Sequence, residues 1–412
     1  METQTFSHHE NQYDATMMPN GLILISSDDL RIGKGRKRNY RVFIAGGRLA
    51  DIDPPGAGLA FVRTLPAHLN SEFGGKLNDK AVTCSMEHGY IELNYTHHGK
   101  DRHDAKCLET LIRMMMNNPP SAKLFSASRG NGVAFKNDVA GAFWSWFYSK
   151  VSPDWHRMCI TPWDESEFAK RAERKQSLRF RDKFIHPANT LVFSGEPCLH
   201  EDLVERLSQL NVVNASAQRF VCKAPSVTAL YEDCPFDDSI GKKQDLLIFY
   251  PLPKDRQTYI KIVIAFYALF GEKGFLEKFL KKQRLVLRPE LHTVFWPQPF
   301  AFIKLSTTSA NFDRTLELVR IAQSYFADLP TDKQLELALK AARNVVQKFA
   351  VPVDILRDEL LTSDKVDFSK DVLKMSLKGL SYLIRVYLSE SRMGVISGLP
   401  GTPKGRSIFD AI

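Results

Sequence analysis

Apolar and polar residues alternate in short runs over positions 22–95. The pattern predicts strands at Leu22–Ser26, Tyr40–Ala45, Gly58–Arg63, Lys80–Met86 and Tyr90–Tyr95. Glu87-His88-Gly89 joins the last two as a short hairpin, and the cluster Pro54-Pro55-Gly56-Ala57-Gly58 breaks the sheet between its early and later strands. The period then changes. Leu108, Leu111, Ile112 and Met115 fall at helical spacing between Asp104, a candidate N-cap, and the stop Asn117-Asn118-Pro119-Pro120. The aromatic run from Phe143 to Tyr148 is read as core.

Positions 188–305 alternate most clearly. A strand at Thr190–Ser194, a helix at His200–Leu210 and strands at Arg219–Cys222 and Leu246–Tyr250 come first. A helix near Arg256–Phe270 and a strand at Arg284–Leu287 follow, with further strand-like runs at Leu291–Trp296 and Phe300–Leu305. The order β-α-β-β-α-β is that of the ferredoxin-like split βαβ unit, a frequent platform for RNA. Beyond Asn311 the pattern is helical: Leu316, Val319 and Tyr325 share one face, and Thr331 caps a helix carrying Leu335, Leu339, Ala342, Val345, Val346 and Phe349. Val353–Leu361 and Asp371–Leu388 complete an expected four-helix bundle.

The expected fold class is therefore α+β, with a β-rich N-terminal region, a ferredoxin-like βαββαβ central module and a C-terminal helical bundle. The segments are a disordered polar leader (1–20), a β-rich domain with a basic hairpin (21–163) and a basic linker helix (164–187). The ferredoxin-like module (188–310), the bundle (311–393) and a mobile Gly/Pro-rich tail (394–412) follow. A length of 412 residues suits two or three cores. Six scattered cysteines without a C-x-x-C predict free thiols and a cytoplasmic, reducing setting, and no apolar run is long enough to span a bilayer.

Charge changes the picture through its placement. The net charge is +9, and between residues 31 and 48 there are seven Lys or Arg and no acid. Arg31, Lys34, Arg36, Lys37, Arg38 and Arg41 would gather around a phosphate on a glycine-permissive loop. A second block, Arg171, Arg174, Lys175, Arg179, Arg181 and Lys183, is interleaved with Phe168, Phe180 and Phe184, a composition suited to single strands whose bases stack on rings.

Other chemistry is thinner. The chain has no P-loop, no dinucleotide fingerprint and no nucleophile elbow G-x-S-x-G. The one dense His/Asp cluster runs from His97 to Asp104 and fits neither H-E-x-x-H nor a zinc ribbon. Asp237, Asp238 and Asp245 lack the following acid-x-Lys that a metal nuclease needs. The expectation is a non-catalytic protein that binds nucleic acid, RNA or a single strand, as a subunit of a ribonucleoprotein complex. Its partners would be nucleic acid and, through the helical C-terminal region, protein subunits, with no membrane, metal or cofactor. The alternatives are a metal-dependent nuclease or phosphohydrolase using the His97–Asp104 cluster, and an assembly protein docking through its C-terminal helices.

Overall fold

The computed structural model describes residues 3–8, 11–30, 38–51, 54–73, 82–87, 89–97, 104–130, 139–151, 162–210, 220, 230–235, 243–271, 274–283, 289–294, 298–328, 330–337, 339–340, 357, 376–400 and 407–411. The strands are β1 (Thr3–His8), β2 (Asn11–Met17), β3 (Ile23–Ser26), β4 (Arg38–Ala45), β5 (Val82–Met86) and β6 (Tyr90–His97). They continue with β7 (Thr190–Ser194), β8 (Tyr231–Asp233), β9 (Lys243–Pro251), β10 (Glu290–Val294), β11 (Phe300–Thr308) and β12 (Gly394–Ser397). The longer helices are α1 (Ala57–Glu72), α2 (Asp104–Asn117), α3 (Ala122–Ser128), α4 (Val139–Val151), α5 (Pro162–Arg171) and α6 (Arg174–Phe184). After these come α7 (His200–Ser208), α8 (Arg256–Phe270), α9 (Phe275–Lys282), α10 (Phe312–Asp328) and α11 (Leu377–Tyr387). The fold is mixed α/β with two mixed sheets, one in each of two compact units.

The first unit comprises 1–136, 162–223 and 352–369. Its sheet runs β1-β2-β3-β7-β4-β6-β5, with β3 and β7 parallel and every other neighbour antiparallel. Leu24, Val42, Ile44, Leu93 and Val192 point to one face, where Phe61, Leu65 and Leu69 of α1, Leu108 and Ile112 of α2, and Leu203 and Leu207 of α7 cover them. Ile23, Ile25, Phe43, Leu191 and Phe193 point the other way into a second buried cluster. A strand buried on both faces reads as a continuous apolar run, which is why Leu22–Ser26 and Tyr40–Ala45 stood out.

The second unit comprises 137–161, 224–351 and 370–412. Its sheet runs β10-β11-β9-β12-β8, with only β12 and β8 parallel. One face carries Leu246, Ile248, Tyr250, Ile303 and Val395 against α8, α9, α10 and α11. The opposite face carries Leu247, Phe249, Phe300, Phe302 and Ile396 against the aromatic residues of α4. The run Phe143–Tyr148 is core as expected: Phe147 lies 5.0 Å from Phe249, and Trp144 Nε1 donates to the Ile408 carbonyl at 2.6 Å.

Several expectations change. Gly58–Arg63 is helix, the second to seventh residues of α1, because a short apolar run does not by itself separate a strand from a buried helical turn. Asp51 decides the matter locally. Its carboxylate accepts from the Gly58 N–H at 2.6 Å and the Leu59 N–H at 3.0 Å, two donors that a helix start leaves without intrahelical partners. Burial pushes that carboxyl up from its usual range against the pull of these N–H groups. Asp51→Ala is expected to cost about 2–3 kcal/mol, read as a lowered urea midpoint, since two donors at the helix start, one of them buried, lose their carboxyl acceptor. An unchanged midpoint would remove Asp51 from this role.

The single ferredoxin-like module over 188–310 is not what the strands form. Thr190–Ser194 is β7, bonded to β3 and β4 in the first sheet, whereas β9, β10 and β11 belong to the second. Alternation fixes the order of elements but not their partners. The expected strands at Arg219–Cys222 and Arg284–Leu287 fall almost wholly outside the described residues. In place of a self-contained bundle, α10 and α11 lie on a sheet face beside α8 and α9. Thr331 does cap a helical segment, in a reciprocal box with Gln334, while nearly all of Val353–Leu361 lies outside the described residues. The polar leader contains β1 and β2, paired from Thr3↔Thr16 to His8↔Asn11, and the Gly/Pro-rich tail contributes β12, fully buried between β9 and β8.

Candidate functional site

The first basic block does not sit on a hairpin. β3 and β4 flank it in sequence, yet both are bonded to β7, which lies between them. Arg31, Lys34, Arg36 and Lys37 lie outside the described residues, and of Arg38 only the backbone, opposite His97, is described. Arg41 is engaged within the protein: its guanidinium pairs with Glu92 at 2.8 Å and lies 4.9 Å from the centre of the Phe43 ring. The cation next to the apolar strand thus serves the sheet.

The second block lies on the end of α5 and along α6. Arg171, Lys175, Arg179 and Lys183 are exposed. Arg174 Nε donates to the Pro120 carbonyl at 2.8 Å, Arg181 pairs with Asp182 at 2.5 Å, and Lys183 lies 5.1 Å above Phe184. The rings do not form a stacking platform. Phe180 and Phe184, four apart on one helical face, are buried against each other at 4.9 Å in the first unit's core. On α6 the rings turn inward while Lys175, Arg179 and Lys183 face out, Arg181 is largely buried, and Phe168 on α5 is the one ring of the three left exposed.

The His97–Asp104 cluster gives no metal geometry. Residues 98–103 are outside the described set, as are the side chains of His97 and Asp104. Among the described residues no group of three His, Cys, Asp or Glu could hold a metal ion. The sequence adds a stronger constraint. No two of the eleven histidines stand four positions apart, so neither H-E-x-x-H nor H-x-x-E-H, the zinc-hydrolase helix motifs, can be written anywhere in the 412 residues. The sole histidine of α1, His68, is buried, and its Nε2–H donates to the Asn118 carbonyl at 2.9 Å.

Two arrangements were not visible along the chain. In the first unit, His200 at the start of α7 reaches Ser26 Oγ through Nδ1 at 2.8 Å and Thr16 Oγ1 through Nε2 at 2.9 Å. Ser26 is wholly buried and Thr16 nearly so, so the Ser–His pair ties β2, β3 and α7 together and offers no surface to a substrate. Burial lowers the His200 imidazole, with Asp14 and Glu201 opposing.

In the second unit, α10 and α11 run antiparallel and leave a cleft of 610 Å³ near the end of each. Its charged walls are paired: Arg320 Nε lies 3.0 Å from Glu390 Oε1, and Arg385 pairs with Asp328 at 2.5 Å. Between them sits Gln323, whose Nε2 donates to the Leu388 carbonyl at 2.8 Å and to Tyr250 Oη. Arg320 and Glu390 are 70 positions apart and Asp328 and Arg385 57, so only the pairing of the two helices, not any local motif, brings them together.

Among the described residues no helix is long and apolar enough to cross a membrane. Cys84, Cys107, Cys198 and Cys234 are free thiols.

No protein-family model matches the chain, and no curated protein matches it in sequence. Solved structures do match in fold, over nearly the whole length. A candidate M16-like peptidase from Alicyclobacillus acidocaldarius is similar with a TM-score of 0.63 and 14% identity, covering 96% of this chain and 100% of that one. The peptidase M16 inactive domain from Pseudomonas fluorescens is similar with a TM-score of 0.64 and 14% identity, covering 98% of each chain. A chain of complex III2 from Candida albicans is similar with a TM-score of 0.68 and 10% identity, covering 93% of this chain and 95% of that one.

The likeness gives the chain an M16-like peptidase fold, and it corrects the functional expectation. The neighbours are peptidase-like folds, not RNA-binding or ribonucleoprotein modules, so the reading as a nucleic-acid-binding protein with a nucleic-acid partner is overturned. The misleading signal was charge density: a basic run is equally the solvated rim of a sheet protein. Neither a nuclease using the His97–Asp104 cluster nor docking through the C-terminal helices gains support from these neighbours.

Proposed function

We propose that this chain is a non-hydrolytic protein of the M16-like peptidase fold that acts by assembling with other protein chains. The observation that carries the reading is the histidine spacing: a fold similar throughout to peptidases lacks, in all its residues, the two-histidine helix on which such zinc chemistry depends. The helix α1 turns Phe61, Leu65 and Leu69 into the core instead, and its one histidine is held by a backbone carbonyl. Similarity to a domain described as inactive, and to a chain of a multisubunit complex, supports association in place of catalysis.

Two measurements test it. Purified chain supplied with Zn²⁺ is expected to leave a fluorogenic peptide mixture uncut, with no effect of a chelator. Chelator-sensitive hydrolysis would overturn the non-hydrolytic reading. Chain purified from its own cells at low salt is expected to co-elute with a second protein in fixed ratio. Elution alone, at the mass of one chain, would overturn the assembly reading.

A further inference from the structure

We infer that β1 is a docking edge for the β1 strand of a second copy of this chain, the two strands pairing antiparallel about a two-fold axis. This names one partner within the assembly role proposed above and rests on that reading. Three features of the first unit point there.

The first is an open ladder. β1 ends its sheet and is bonded to β2 alone, in register from Thr3↔Thr16 to His8↔Asn11. Side chains fasten it to that neighbour: Thr3 Oγ1 lies 2.8 Å from Thr16 Oγ1, and Thr5 Oγ1 donates to Asp14 Oδ1 at 2.9 Å. The backbone N–H and C=O groups that turn away from β2 meet no strand among the described residues. Thr3, Gln4 and Thr5 are exposed in succession, so both faces of the strand are open here. What fits such an edge is another extended strand.

The second is missing protection. Sheet edges are commonly blunted by charge, by shortness or by a covering segment. The second unit uses all three. Its edge strand β8 is three residues long and carries Glu232 and Asp233. The other, β10, carries Glu290 and is contacted by C-terminal residues, Phe409 stacking 4.8 Å from His292 and Ser407 bonding to Glu290. In contrast, β1 has six residues, Thr-Gln-Thr-Phe-Ser-His, with no acid, Lys, Arg or Pro. The opposite edge of its own sheet, β5, is uncharged too but shorter.

The third is self-complementarity, and it selects the occupant. Antiparallel pairing about a two-fold axis sets residues of like parity opposite each other. Thr3, Thr5 and Ser7 of one copy then meet the same set in the other, and Gln4, Phe6 and His8 do likewise. Hydroxyl groups both donate and accept, so a row of them pairs with its own image. No acid faces an acid, as would happen if β8 met its copy. A strand of about 20 Å makes a small contact, so the dimer is weak and concentration-dependent.

The test is sedimentation velocity of the purified full chain, with no other protein, from micromolar to submillimolar concentration at physiological salt. The native chain is expected to move from one-chain to two-chain mass as concentration rises. Gln4→Lys/Thr5→Lys is expected to weaken dimerisation about tenfold or more with an unchanged melting temperature, because both positions are exposed and the substitution crowds cations across the axis. Thr83→Lys, at an exposed position of β5, is expected to leave dimerisation unaltered. In the native chain, exchange of β1 amides is expected to slow as concentration rises. One-chain mass throughout overturns the proposal, as does a dimer that survives Gln4→Lys/Thr5→Lys or is lost with Thr83→Lys. Amide exchange in β1 that ignores concentration overturns it without any variant. A chain monomeric by itself that still co-elutes with a different protein from cells would end the β1 pairing and leave the assembly reading standing, so the two fail separately.

Discussion

Gly394→Ala is expected to cost about 3–5 kcal/mol, enough to leave the second unit largely unfolded at ordinary temperature. Gly394 opens β12 opposite Phe249 of β9, and a Cβ added there would collide with Cζ, Cε1 and Cε2 at the end of the Phe249 ring. The ring has nowhere to go. Phe249 is wholly buried, 5.0 Å from Phe147 and 6.1 Å from Phe300, in the aromatic layer between the sheet and α4. A double-mutant cycle separates this clash from ordinary loss of strand structure. In a Phe249→Leu background, the added methyl should cost at least about 1 kcal/mol less than in the native background, because the facing group is smaller and mobile. Equal costs in both backgrounds would show that the ring is not the obstacle.

Lowering the pH from 7 to 5 is expected to destabilise the first unit steeply. His68, His186 and His200 all belong to it, all are buried, and burial lowers each imidazole below its usual value of 6.5. The sign follows from where the protons bind. Below 6.5 the unfolded chain takes up protons that the folded unit refuses. Stability is therefore complete above that pH and falls as pH drops through it, until each folded-state value is reached. Each histidine contributes at most about 1.4 kcal/mol per pH unit within its window. Asp51 carries the opposite sign, since burial lifts its carboxyl and the folded form binds that proton first. Hydrogen exchange of β3 and β7 amides at pH 7 and pH 5 reads the effect locally. His200→Gln should flatten the slope by roughly one histidine's share, and a slope unchanged by that substitution would exclude His200 from the titration.

The parts of the molecule that were legible from residues alone were those set by local periodicity. Leu108, Leu111, Ile112 and Met115 mark α2 because a helix against a sheet must show one apolar stripe. β5 and β6 were equally plain, joined where Glu87 N–H meets the Tyr90 carbonyl. What escaped was decided at long range. Nothing in Thr190–Ser194 says that its partners are Ile23–Ser26 and Tyr40–Ile44 and not the strands that follow it. The start of α1 depends on Asp51, whose acceptor role appears only once the chain has turned back at Gly56, where φ is 85°. Arg320 and Glu390 became neighbours through helix pairing, so charge order along the chain pointed instead to the denser run at Arg31–Arg41, of which the described part serves the sheet.

The sheet order also carries a message about time. In each unit a strand from far downstream sits between strands made much earlier: β7 between β3 and β4, β12 between β9 and β8. Until β7 emerges from the ribosome, β3 and β4 have no seam to close, and β9 waits likewise for β12. Each half-built sheet exposes an apolar edge during synthesis, and closing it spans a long loop, which slows the step. The nascent chain should therefore bind holdase chaperones in two successive episodes, the first ending soon after residue 194 clears the exit tunnel and the second after residue 397 does.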